Sequence, residues 1–118
     1  MEKAVAILPT DDLAVAKKFY VEGLGFHVTW EHTEDGHSGL IGIARGGIEL
    51  TLDSPMQGHG RKAAVGIHVD DADALYAEWV RNFPAIRAPK NEEWGARTFG
   101  LQDPSDNTIF VMGPIPPK

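Results

Sequence analysis

From Ile48 to Asp53 the chain alternates strictly, with Ile48, Leu50 and Leu52 on one parity and Glu49, Thr51 and Asp53 on the other. Successive side chains of a strand point to opposite faces, so this pattern predicts a half-buried strand with its leucines on a core. The same reasoning predicts strands at Lys3 to Leu8, Phe26 to His32 and Leu40 to Arg45. Between the first two, Leu13, Ala16, Phe19 and Tyr20 recur at helical spacing. Thr10 or Asp11 is the expected cap of that helix, and Gly23 and Gly25 end it. "EDGH" at residues 34–37 and Gly46-Gly47 supply the turns between strands.

Further along, the same order returns. "KAVAIL" at Lys3 to Leu8 is matched by "KAAVGI" at Lys62 to Ile67; at the same spacing Asp11-Asp12 recur as Asp70-Asp71, and Tyr20 as Trp79. Self-similarity over half a chain implies two related modules. In the second, a strand at Lys62 to Val69 leads to a helix from Asp71 to about Asn82. A short strand at Ala85 to Arg87 follows, then a loop holding Trp94, and strands at Arg97 to Gln102 and Thr108 to Met112 joined by "DPSDN". Each half reads βαβββ. The expected fold is α+β: one domain of two such modules, residues 1–53 and 62–118, joined by a linker at 54–61. Their curved, largely antiparallel sheets surround a cleft with the helices on the outer side. "GPIPPK" at the end is expected to be a surface tail, because proline cannot extend a central strand.

Composition narrows the function classes. The 118 residues carry a formal net charge of −6, with the basic residues scattered rather than striped, which argues against a nucleic-acid partner. No apolar run reaches the ~18 residues of a membrane helix, and Glu2 with the mixed segment behind it predicts no secretory signal. Cysteine is absent, excluding disulfides, thiol catalysis and cysteine metal sites; the expected location is cytoplasmic. The negative charge suits a cationic small molecule as well as it suits plain solubility.

Strand parity turns the pattern into candidate chemistry. Opposite the apolar faces stand Glu49 and Thr51 on one strand, Ala64, Gly66 and His68 on another, and Phe110 and Met112 on a third. Such small and polar residues leave room for a cleft, or for close packing of another segment. Of the five histidines only His68 has the expected parity. Trp94 has polar neighbours and precedes Gly95, outside any periodic element, so it either covers an edge of the core or is offered to a ligand.

Paired βαβββ modules with "DDLAVAKKFYVEGLGF" near the start resemble the vicinal-oxygen-chelate superfamily of glyoxalases, extradiol dioxygenases and bleomycin-resistance proteins. "LYAEW", "EWG" and "LQDPSDNTIF" look most like the bleomycin-resistance branch, and the resemblance spans nearly the whole chain. The superfamily's enzymes hold a divalent metal with four side chains. Carried over by register, those positions are Val5, Glu49, Ala64 and Phe110, of which only Glu49 can ligate, so the resemblance implies neither a metal nor a cofactor here.

The binding branch implies a homodimer that sequesters bleomycin-like glycopeptides in clefts shared between subunits, aromatic side chains gripping a planar group and acids attracting a cationic tail. By that resemblance Trp94 is a stacking platform and Gly95 admits the ligand to the backbone. Trp30 is either the second wall or a half-buried strand residue. His37 stands where an aromatic is expected, and Glu31, Glu34 and Asp35 either attract a cation or form a solvated turn. Glu49, Thr51, Gly66, His68 and Phe110 complete the candidate ligand site. The competing expectation is an enzyme of the same superfamily acting on a small metabolite, with Glu49 as base and His68 as its partner.

Overall fold

The computed structural model describes residues 2–55 and 62–117. The first module runs β1 (Ala6–Pro9), α1 (Leu13–Lys17), a π-helical segment Lys18–Gly23, β2 (His27–His32), β3 (Gly39–Arg45) and β4 (Ile48–Ser54). The second runs β5 (Ala64–His68), α2 (Ala72–Trp79), β6 (Lys90–Asn91), β7 (Ala96–Gln102) and β8 (Thr108–Pro114). Each forms a four-stranded sheet, in the orders β1-β4-β3-β2 and β5-β8-β7-β6. The first strand pairs with the last in parallel in both, and the remaining pairings are antiparallel. The α+β fold of two βαβββ modules is therefore the one the repeat predicts.

Local chemistry accounts for most element limits. Asp12, not Thr10 or Asp11, caps α1: it has extended backbone angles, and its carboxylate accepts from Ala14 N at 2.8 Å. Asp71 does the same for α2, accepting from Ala74 N at 3.0 Å. The strand expected at 85–87 is absent. Pro84 and Pro89 bracket that stretch without N–H donors, and pairing begins only at Lys90, opposite Thr98. At the other end β8 runs on to Pro114, which faces Ala96, so the exposed tail starts later than expected. Of the linker, Ser54 belongs to β4 and residues 56–61 lie outside the described ones.

One cluster of buried side chains draws on both modules. Leu50 and Leu52 of β4 and Ile41 and Ile43 of β3 pack under Leu13, Ala16 and Tyr20; Ile109 and Val111 of β8 pack under Leu75 and Trp79. Burying each such aliphatic side chain contributes about 1.5–3 kcal/mol. Polar bonds tie the halves together as well. The Trp79 indole donates to Leu24 O at 3.0 Å, and Asn107 Nδ2 donates to Pro9 O at 2.8 Å. With both helices on one side, each sheet keeps a helix-free face. That face carries the candidate residues.

Candidate functional site

On the first sheet the helix-free face is built in rows across the strands. β4 places Glu49, Thr51 and Asp53 there, opposite the parity of Leu50 and Leu52. Thr51 pairs with Gly42 of β3 on one side and Ile7 of β1 on the other, and Gly42 pairs with Trp30 of β2. A bulge between Val28 and Trp30 shifts the parity of β2. It puts His27, Trp30 and His32 on the face of Ala44, Gly42 and Leu40, so His68 is not the one histidine with that parity: simple alternation cannot see a bulge. On the second sheet, Gly66 pairs with Phe110 and His68 with Met112, and Phe110 in turn with Gly100.

Between the sheets lies an open cavity of about 990 Å³. Its walls are the β1 edge of one sheet, the β5 edge of the other, the β3–β4 turn and the start of α2. The floor is apolar, with Ala6, Ile48, Leu50, Val65, Ile67 and Leu75. Its polar lining is Glu49, His68, Asp70, Asp71, Glu78 and Arg45, an excess of carboxylates. Two of these are balanced: Glu49 meets Lys3 Nζ at 2.6 Å, and Glu78 forms a two-pronged pair with Arg45, Oε1 to Nη2 being 2.9 Å. Arg45 holds the Glu78 carboxyl below its ordinary range, and Glu78 raises Arg45 in turn. Asp71 is committed to capping α2.

The cavity gathers Glu49, Gly66 and His68 of the sequence-derived candidates. Thr51 and Phe110 share the same faces but lie outside it, as does Trp30. Trp94 and Gly95 sit at the β6–β7 hairpin, the far edge of the second sheet from β5. There Glu92 N donates to Ala96 O at 2.7 Å and Gly95 N to Glu92 O at 3.1 Å, with Gly95 at φ +93°, a left-handed angle that favours glycine. Thr98 donates to Glu92, and Arg97 to Asn91, fixing the turn from both sides. Trp94 is 62% exposed, which rules out a role as a cover for the core.

His37 has a partner the sequence did not suggest. Its Nδ1 lies 3.0 Å from Asp12 Oδ1, and its carbonyl accepts from Leu13 N, so the 33–38 loop is fastened to the start of α1. The hydrogen bond with Asp12 and its charge raise the His37 imidazole, and the same bond lowers Asp12. Of the three acids near it, Asp35 turns inward on its own loop. The N–H groups of Ser38 and His37 bind its carboxylate and bring it down to about 2. Glu31 is paired with Lys17 at 2.8 Å.

Sequence reasoning missed the Arg45–Glu78 pair and the edge location of the cavity. Asp70-Asp71 was visible as a helix start, and the doubling of the acid was the available signal. The metal positions of the resemblance do not fit a metal. Val5 and Ala64 offer no donor, and Glu49 is engaged with Lys3. The β5–β8 register also sets Thr108, not Phe110, opposite Ala64. No group of three or more His, Cys, Asp or Glu able to hold a metal occurs among the described residues.

The model of one family, the glyoxalase/bleomycin resistance protein/dioxygenase superfamily, matches residues 4–111. The chain belongs to that superfamily. Among solved structures, a bleomycin-binding protein from bleomycin-producing Streptomyces verticillus complexed with copper(II)-bleomycin is 26% identical, with 98% of each chain covered and a TM-score of 0.77. TnmS3, an antibiotic binding protein from Streptomyces sp. CB03234, is 27% identical over 97% of this chain and 98% of its own, at TM-score 0.73. Lactoylglutathione lyase from Agrobacterium tumefaciens, at 21% identity, 96% and 95% coverage and TM-score 0.70, shares the superfamily fold. A comparison with curated proteins found no match. No helix among the described residues is long and apolar enough to cross a membrane.

Proposed function

We propose that this superfamily member is a metal-free binding protein that sequesters a planar, cationic small molecule of the bleomycin type and so confers resistance. The observation that carries the reading is the cavity between β1 and β5, with its apolar floor and its excess of carboxylates. An apolar floor binds by area, and acids at a low-dielectric rim concentrate cations. Trp94 supports the reading in a second way. It is exposed on a hydrogen-bonded turn at the sheet edge remote from this cavity. A ligand touching both needs a second chain, so the working unit is a homodimer with shared clefts. The cell compartment that fits this role is the cytoplasm.

A tryptophan-fluorescence titration with bleomycin, in protein stripped of metal, tests the proposal. Saturable quenching that weakens with salt and falls away in Trp94→Ala is the expected result; unchanged affinity in that variant sinks the assignment. A second reading, an enzyme of the same superfamily, draws on Glu49 and His68 lining one cavity. Recovery of chemically altered bleomycin after incubation favours that reading over sequestration.

A further inference from the structure

The guanidinium of Arg45, at the end of β3, and the carboxylate of Glu78, on α2, join the two modules, and both residues line the cavity. Three features set them apart from an ordinary surface ion pair. Nη1 bonds Oε2 while Nη2 bonds Oε1, a fork that fixes direction as well as distance. Nη1 also donates at 2.7 Å to Leu24 O, the carbonyl at the end of the π-helical segment that Trp79 Nε1 reaches from α2. A cation suits that negative helix end. The guanidinium also packs on Gly25, where a Cβ would collide with Nη1 and where φ is +80°. The wall held in this way is α2, whose Ala74, Leu75 and Glu78 line the cavity from one helix face. Its start is tied to its own sheet, Arg97 Nε meeting Asp73 Oδ2 at 2.9 Å. Its end is tied to the first module, through Glu78 and Trp79.

We propose that Arg45 is a positioning residue: its fork to Glu78 holds α2 and the β3–β4 turn at the separation a ligand requires, and so sets affinity. This rests on the reading of the chain as a small-molecule binding protein. Gly46, Gly47 and Ile48, which follow Arg45 directly, line the cavity opposite the helix, so the pair ties one wall to the other. The sign of its effect distinguishes this role from plain electrostatics. Arg45 is a cation among an excess of carboxylates, so as a mere charge it repels a cationic ligand, and its removal would strengthen binding. As a strut it has the opposite effect. Without it the ligand must itself order α2, and binding weakens.

A double-mutant cycle of Arg45→Met, Glu78→Gln and the two combined decides it, with two probes: thioflavin T, a planar benzothiazolium cation, and metal-free bleomycin. Titrations run at low salt and at ~1 M, where the screening length falls to ~3 Å. Arg45→Met is expected to weaken thioflavin T binding about tenfold at both salts. Glu78→Gln weakens it at both salts too, and the combined variant loses no more than Arg45→Met, because the pair acts as one. Wall position is read separately. The chain has no cysteine, so spin labels on the exposed positions of Gly47→Cys and Ala77→Cys report the turn-to-helix distance by pulsed EPR. That distribution broadens in Arg45→Met. Should Arg45→Met fail to fold, Glu78→Gln, in which Arg45 keeps its bond to Leu24 O, carries both readouts. Unchanged or tighter thioflavin T binding in Arg45→Met overturns the positioning role, as does an unchanged distance distribution. A loss in Glu78→Gln that vanishes at high salt, or a further loss in the combined variant, overturns the claim that the two act as a strut. Bleomycin failing to bind while thioflavin T follows this pattern upholds the strut and removes the bleomycin reading; binding of neither probe to the parent removes both.

Discussion

The phenol of Tyr20, in the first module, donates a 2.7 Å hydrogen bond to the buried carboxylate of Asp103, in the second. The same carboxylate accepts from Asn107 Nδ2 at 2.9 Å and from the N–H groups of Ser105 and Asn107, so no part of it is left unbonded. Burial first, and then the Asp103 charge, push the Tyr20 phenol well above its ordinary 10.0. A raised folded value means that stability is fully present below the unfolded value and is lost as pH rises above it. We expect the urea midpoint to hold up to about pH 10 and to fall beyond it, with the fall much reduced in Tyr20→Phe.

Removing the acceptor is the harsher change. Asp103→Ala strands the buried Tyr20 hydroxyl and the buried Asn107 N–H, each costing about 1–3 kcal/mol, and frees the half-buried Ser105 N–H as well. Tyr20→Phe removes one donor from a carboxylate that keeps three others, and costs about 1–2 kcal/mol. Urea unfolding of the two variants checks the order; an equal loss in both shows that the carboxylate matters only to Tyr20.

This pair also marks the limit of what the sequence discloses. The repeat, the strand parities of Leu50 and Leu52 and the turn at "DPSDN" are local patterns and could be read directly. Tyr20 meeting Asp103, or His37 meeting Asp12, depends on how distant elements pack, and no periodicity encodes that. The edge cavity was hidden for the same reason: β1 and β5 become edges only through their parallel pairing with β4 and β8. Trp30 could be placed on a strand, but its facing depended on a bulge.

His37 and Asp12 predict a pH window. His37 is raised above 6.5, so the tie of its loop to α1 is complete below that value and loosens as pH rises through the raised one. Asp12 is lowered from 3.8, so its share is complete above that value and is lost as pH falls through the lowered one. The contact is therefore strongest between the two. An NMR titration of the His37 ring should show its midpoint above 6.5 in the parent and returning toward that value in Asp12→Asn. A midpoint unmoved by Asp12→Asn means that the ring does not sense this carboxylate.

The carboxylates at the cavity give the last prediction. Glu49 lies at its wall, exposed enough for solvent to screen it and held by Lys3. A cation entering the cavity competes with Lys3 for that charge, so the pair limits what Glu49 contributes. Glu49→Gln should weaken binding of a cationic ligand only a few-fold at low salt, in line with exposed ion pairs of about 0–1 kcal/mol. Lys3→Ala should strengthen it by a similar factor, since it frees the carboxylate. Both effects should fade as salt shortens the screening length toward ~3 Å at 1 M. Affinities measured at low and high salt for the two variants separate this from a packing role, which would persist at high salt. Opposite signs that converge with salt identify Glu49 as a charge the ligand senses; like signs, or no convergence, assign it to holding the β1–β4 edge in place.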